Sequence, residues 1–153
     1  MTAYEIDDDG FVCVVSPDRY AGFVDEDWEL DDLLSRFVEQ MNAGSLFLAY
    51  PGDEAAGAAL TLVAKEPETA ARRTSGVVHV GEGGLWLTDY TQLTMAAQFA
   101  DEGPVTSSAR RLAVEPGTYL VGLSAIGEEE YALTVRPHVG DAPTHASVPW
   151  FTS

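Results

Sequence analysis

The chain has 153 residues, 46% of them hydrophobic, and its 25 acids outnumber Lys and Arg by 17 for a formal net charge of −17. A chain of this length and apolar content can bury one ordered core without disulfide or metal staples, so it is not an acidic disordered tail. The charge disfavours nucleic acid and anionic membranes as partners, and it favours basic surfaces.

The acids are not spread evenly. Residues 1–40 carry twelve acids and two bases, so about a quarter of the chain holds −10 of the −17. General solubility, a high-salt interior, or a composition bias that leaves Lys65 as the only lysine would each make a chain acidic.

The opening segment, Met1 to Asp9, lacks the basic start and apolar run of a secretory signal. The longest apolar stretches, Phe11 to Val15 and Ala55 to Ala64, fall well short of the roughly 20 residues of a membrane span. Cys13 is the single cysteine and cannot form an internal disulfide; inside an apolar run it reads as a buried, inert thiol. The expectation is a cytoplasmic protein with no membrane partner.

In chain order, Phe11 to Val15 reads as a buried strand bounded by Gly10 and Ser16-Pro17. An acidic loop then runs from Pro17 to Asp27. Leu30, Leu33, Leu34, Phe37, Val38 and Met41 recur at helical spacing, which predicts an amphipathic helix over about 28–42. Asp25 or Asp27 is its expected cap, Asn42 and Gly44 its stop, and Asp32 and Arg36 a side-chain pair. Ser45 to Tyr50 and Ala58 to Ala64 are expected to form a hairpin across Pro51-Gly52-Asp53. A second hairpin is expected from Gly76 to Val80 and Leu85 to Leu87 across Gly81 to Gly84. Leu93, Met95, Ala97 and Phe99 alternate as in a strand, although Tyr90, Leu93 and Ala97 also share a helical face; strand is the preferred reading for 93–99. Arg110 to Val114 follows. Thr118 to Ala125 and Tyr131 to Arg136 read as a meander across Glu128-Glu129-Glu130. The expected fold is mainly β (α+β): an antiparallel β-sandwich or open barrel of seven or eight short strands with one helix packed on it. One domain over 1–153 is expected, with a proline-containing C-terminal extension at 137–153 ending in Trp150 and Phe151.

Catalytic patterns fail in turn. Gly122 to Gly127 around Ser124 is one residue too long for a nucleophile elbow and leads to a strand. Asp25, Asp27 and Glu29 imitate the start of a calcium loop, but Leu30 and Arg36 occupy the glycine and closing glutamate positions. His138, Asp141 and His145 match no zinc spacing. His79 lies on the face of its strand opposite Val78 and Val80, a surface position more than a general-base position. Gly81, Gly83 and Gly84 form no phosphate cradle. No catalytic residue, metal or cofactor is expected.

The expected function is therefore a small acidic protein-binding module. Asp25, Glu26, Asp27, Glu29, Asp31 and Asp32 would meet a basic protein; Trp150 and Phe151 either tuck into a core edge, the preferred reading, or serve as aromatic anchors for that partner. An immunity-type inhibitor masking a nuclease toxin is one form of this, by analogy of size and charge alone. The alternative is a β-fold ligand-binding or structural domain whose acidity serves solubility or salt adaptation.

Overall fold

The computed structural model describes residues 2–99, 109–127 and 129–151. The order is β1 (Thr2–Glu5), β2 (Val12–Val15), α1 (Leu30–Asn42), β3 (Leu46–Ala49), a 3₁₀ turn (Asp53–Ala55), β4 (Ala59–Leu62), β5 (Arg72–Val80), β6 (Leu85–Thr88), α2 (Tyr90–Gln98), β7 (Arg110–Leu112), β8 (Gly117–Gly127) and β9 (Glu130–Pro137). The strands form two sheets, β1-β4-β9-β8-β5 and β3-β2-β6-β7. The chain is thus mainly β in the α+β class, with nine strands and two helices among the described residues.

The apolar runs explain the layering. Along β2, Val12 and Val14 enter the core shared with the five-stranded sheet, while Cys13 and Val15 point to the other side. In β3, Phe47 and Ala49 join the first core and Leu46 and Leu48 the second. Pairing of Cys13 with Leu48 and of Val14 with Phe47 keeps each set on one face. The β2–β3 half of the four-stranded sheet is therefore buried on both sides, and these two strands read as continuous hydrophobic runs. Leu33, Phe37 and Met41 of α1, with Leu93 and Ala97 of α2, cover its outer face.

Neither expected hairpin forms. β3 lies in the four-stranded sheet and β4 in the five-stranded one; the same separation divides β5 from β6. The glycine turns carry the chain between layers instead of folding it back. Gly52 donates to the Gly10 carbonyl at 3.2 Å, and a Cβ on Gly10 would stand 2.2 Å from the Gly52 oxygen. The Gly81–Gly84 turn is held by the Asp18 carboxylate, which accepts the Gly83 N–H at 2.7 Å. The β8–β9 meander forms as expected; Glu128 in its turn lies outside the described residues. The described strands pair antiparallel as expected except β4 with β9, which run parallel.

Residues 90–98 are helical, not a strand. Asp89 caps the helix by accepting the Gln92 N–H at 2.8 Å, and the Asp7 carboxylate accepts the Tyr90 N–H at 2.8 Å. Two of the free donors at the helix start are thereby satisfied. Leu93 and Ala97 are buried while Met95 and Phe99 are exposed, so the four-residue spacing decided the outcome over the alternation.

α1 begins two residues later than expected. Its cap is Glu29, whose N–H donates to the Asp32 carboxylate at 3.3 Å, the returning half of a capping box. Arg36 pairs with Glu39 at 3.2 Å instead of Asp32. The stop is a Schellman motif: Gly44 (φ +79°) donates to Met41 and Ser45 donates to Gln40.

Candidate functional site

The six-residue apolar stripe of α1 divides in two. Leu33, Phe37 and Met41 are buried against the four-stranded sheet. Leu30, Leu34 and Val38, spaced four apart, form a ridge along the helix's outer edge; Leu30 is 45% exposed and the other two are half-buried. Across from this ridge runs the C-terminal segment. Together they enclose a groove of about 530 Å³ lined by the ridge, Asp31, Ser35 and Glu39 on one side and Ala146, Ser147, Val148 and Phe151 on the other.

The C-terminal segment is fixed at several points. The Asn42 side chain donates to the His145 carbonyl at 3.0 Å and accepts the His145 N–H at 2.8 Å. Val148 is buried in the helix-side core, and the Pro149 carbonyl accepts the Tyr50 N–H at 3.0 Å. Trp150 and Phe151 are half-buried and diverge. Trp150 packs on the core between the sheets, with the Arg72 guanidinium 4.1 Å from its ring centre. Its φ of +68° is uncommon for a bulky residue. Phe151 packs on the helix-side core, 5.3 Å from the Tyr50 ring centre. Both rings are thus wedged into core edges, and Phe151 also forms the end wall of the groove.

The acidic loop stands beside the same helix. Ala21 donates to Gln40 Oε1 at 2.9 Å and accepts from Arg36 at 3.2 Å. Val24 and Asp25 both donate to the Ala97 carbonyl at the end of α2. Asp25, Glu26, Asp27, Glu29, Asp31 and Asp32 are all exposed. Of the expected binding residues, the groove unites Asp31 with Phe151; Trp150 faces a different core. The sequence reading missed Leu30, Leu34, Val38, Glu39 and Val148. The signal for the first three was a stripe of six apolar positions, wider than a helix needs to cover one sheet; Glu39 and Val148 carried none.

A second cleft, of about 660 Å³, lies where β1 meets β6 and β7; its lining includes Tyr4, Glu5, Asp7, Asp8, Asp89 and Arg110. Burial raises the Asp7 carboxyl above its ordinary range, against backbone N–H groups of Phe11, Tyr90 and Asp9 that stabilise its charged form. The Arg110 guanidinium sits 5.7 Å from the Tyr4 ring centre.

His79 and His138 each meet a hydrogen-bond partner. His79 Nδ1 lies 2.9 Å from Thr118 Oγ1, and the ring packs against Gly44. His138 Nε2 meets the Asp141 carbonyl at 3.0 Å. Ser124 is buried within β8. Burial pushes the Cys13 thiol well above its ordinary value. Tyr20 is pushed up by burial too, and its hydroxyl and that of Ser16 are buried without a hydrogen-bond partner. Among the described residues, no three His, Cys, Asp or Glu side chains gather as a metal site. No helix among them is long and apolar enough to cross a membrane.

These features define a two-sheet α+β domain with an acid-rimmed apolar groove between its first helix and its C-terminal segment. No family model matches the chain, and no curated protein does. Among solved structures it is similar to one titled Crocagin biosynthetic gene J, with a TM-score of 0.51 and 13% identity over 90% of this chain and 94% of that one. At that identity the likeness is one of fold.

Proposed function

We propose that this protein is a binding module whose acidic α1 surface and adjoining groove dock a basic protein. The observation that carries the reading is the groove itself: an apolar lining from Leu30, Leu34, Val38 and Phe151, with Asp31 and Glu39 beside it. The loop that presents Asp25, Glu26 and Asp27 leads into the same helix. Such a surface divides the work of binding. The charge speeds encounter, and apolar anchors slow release. A basic enzyme such as a nuclease, whose active surface must be positive to hold phosphate, is the partner class that this charge fits, and masking it would make the module an immunity-type inhibitor.

The test is capture from the native host at low and then high salt, with wild type and with Asp25, Asp27, Asp31 and Asp32 all changed to asparagine. The expected result is a basic protein held by wild type at low salt, released at high salt, and not held by the variant. Failure to retain any basic protein at low salt would overturn the reading.

A second reading has one observation in its favour. The cleft between β1 and β6/β7 falls in the size range of small-molecule sites. A ligand-binding β domain with solubilising acids would use that cleft, and its binding would be indifferent to the four asparagine changes.

A further inference from the structure

Resting on the α1 groove as the docking surface, we infer that the element it receives is a basic amphipathic helix of the partner protein. All groove-lining residues come from α1 and the segment 146–151; no strand contributes. An extended peptide gains affinity by adding to a free sheet edge, and the groove offers none, whereas a partly exposed helical ridge is the complement of another helix. The ridge from Leu30 to Val38 rises about 12 Å, two turns, enough for three anchors spaced as i, i+4 and i+7.

Charge decides whose helix it is. Asp31 stands beside the ridge's start and Glu39 beside its end, with Asp27, Glu29 and Asp32 exposed nearby. An acidic helix, or a second copy of this surface, would set like charges together. Lysines or arginines flanking the apolar anchors would meet the acids instead.

The experiment titrates the full chain with a labelled helical peptide of about 16 residues, with leucines at the three anchor positions and Lys or Arg flanking them. A scrambled peptide of identical composition is the control. The amphipathic peptide should bind at least about tenfold more tightly than the scrambled one. Leu34→Asp should abolish that preference. Ser35→Trp, at an exposed position facing the groove, should do the same by filling it, and it keeps the test valid if the first variant folds poorly. D31N/E39Q should weaken both peptides and flatten their salt dependence. Equal binding of the two peptides would overturn the helix inference while leaving the docking of basic partners intact. Binding of neither at low salt would count against both.

Discussion

The side-chain amide of Asn42 brackets the backbone of His145, giving one hydrogen bond to its carbonyl at 3.0 Å and taking another from its N–H at 2.8 Å. This is the pairing a strand would supply, made instead by one side chain at the end of α1. It ties the C-terminal segment to the end of α1, three residues before the buried Val148. Asn42→Ala removes both bonds at an exposed site and should cost about 1–2 kcal/mol, read as a lower urea midpoint. Asn42→Asp keeps the acceptor and loses the donor, so it should fall between. Equal stability of all three proteins would show that the bracket holds nothing.

Gly44 should tolerate no side chain. Its φ of +79° closes the Schellman motif, and a Cβ there would lie 2.4 Å from His79 Cδ2. The His79 backbone N–H also donates to the Gly44 carbonyl at 2.8 Å and the ring Nδ1 meets Thr118 Oγ1 at 2.9 Å, so moving the ring aside breaks the Thr118 contact. Gly44→Ala combines left-handed strain with a steric clash, and a loss of about 2–3 kcal/mol is expected in chemical denaturation. His79→Ala in the same background should recover part of it, because only the clash is relieved.

The elements that could be read from sequence were those whose pattern has one solution. α1 repeats at helical spacing with a glycine stop, and β8–β9 alternates across a short turn. Pairing could not be read, because Leu46–Ala49 and Ala59–Leu62 look like neighbours until their burial on two faces and on one is known. α2 was hidden because Leu93, Met95, Ala97 and Phe99 satisfy a period of two as well as Leu93 and Ala97 satisfy four. Asp89, its cap, was the local clue. Of the candidate site, the acids were visible as composition. The groove was not, since it requires the C-terminal segment to lie along α1, and that depends on contacts over a hundred residues apart, Asn42 with His145.

The divided stripe of α1 predicts a divided response to truncation. Phe37 is fully buried, and Phe37→Ala should destabilise by about 3–5 kcal/mol. Leu34 is half-buried on the groove edge, and Leu34→Ala should cost roughly 1 kcal/mol while weakening partner binding. Thermal melts of the two variants check this. Comparable losses would mean that the outer ridge is core after all and is not free to dock.

Cys13 should be silent to thiol reagents in the native protein. It is fully buried, and burial, assisted by the nearby negative charge of Asp7, Asp89 and Asp9, keeps the thiolate out of reach. Labelling with a disulfide reagent should therefore follow unfolding, and its rate in increasing urea should track the denaturation curve. Rapid labelling without denaturant would show that the helices over this sheet face open readily.

His145 should make the C-terminal segment sensitive to mild acid. Its imidazole lies against Gly76, and burial lowers its pKa below 6.5. The unfolded chain therefore binds the proton more readily than the folded one. The neutral ring's contribution is fully present above pH 6.5 and is lost as the pH falls through and below that value. His145→Gln cannot take up the proton, so the difference in stability between wild type and variant should shrink or reverse from pH 7.5 to pH 5. Amide exchange at residues 144–151 would localise the effect, with protection of wild type falling in acid and that of the variant holding level. A stability difference that stays constant across this range would mean that the ring is as well solvated in the folded chain as in the unfolded one.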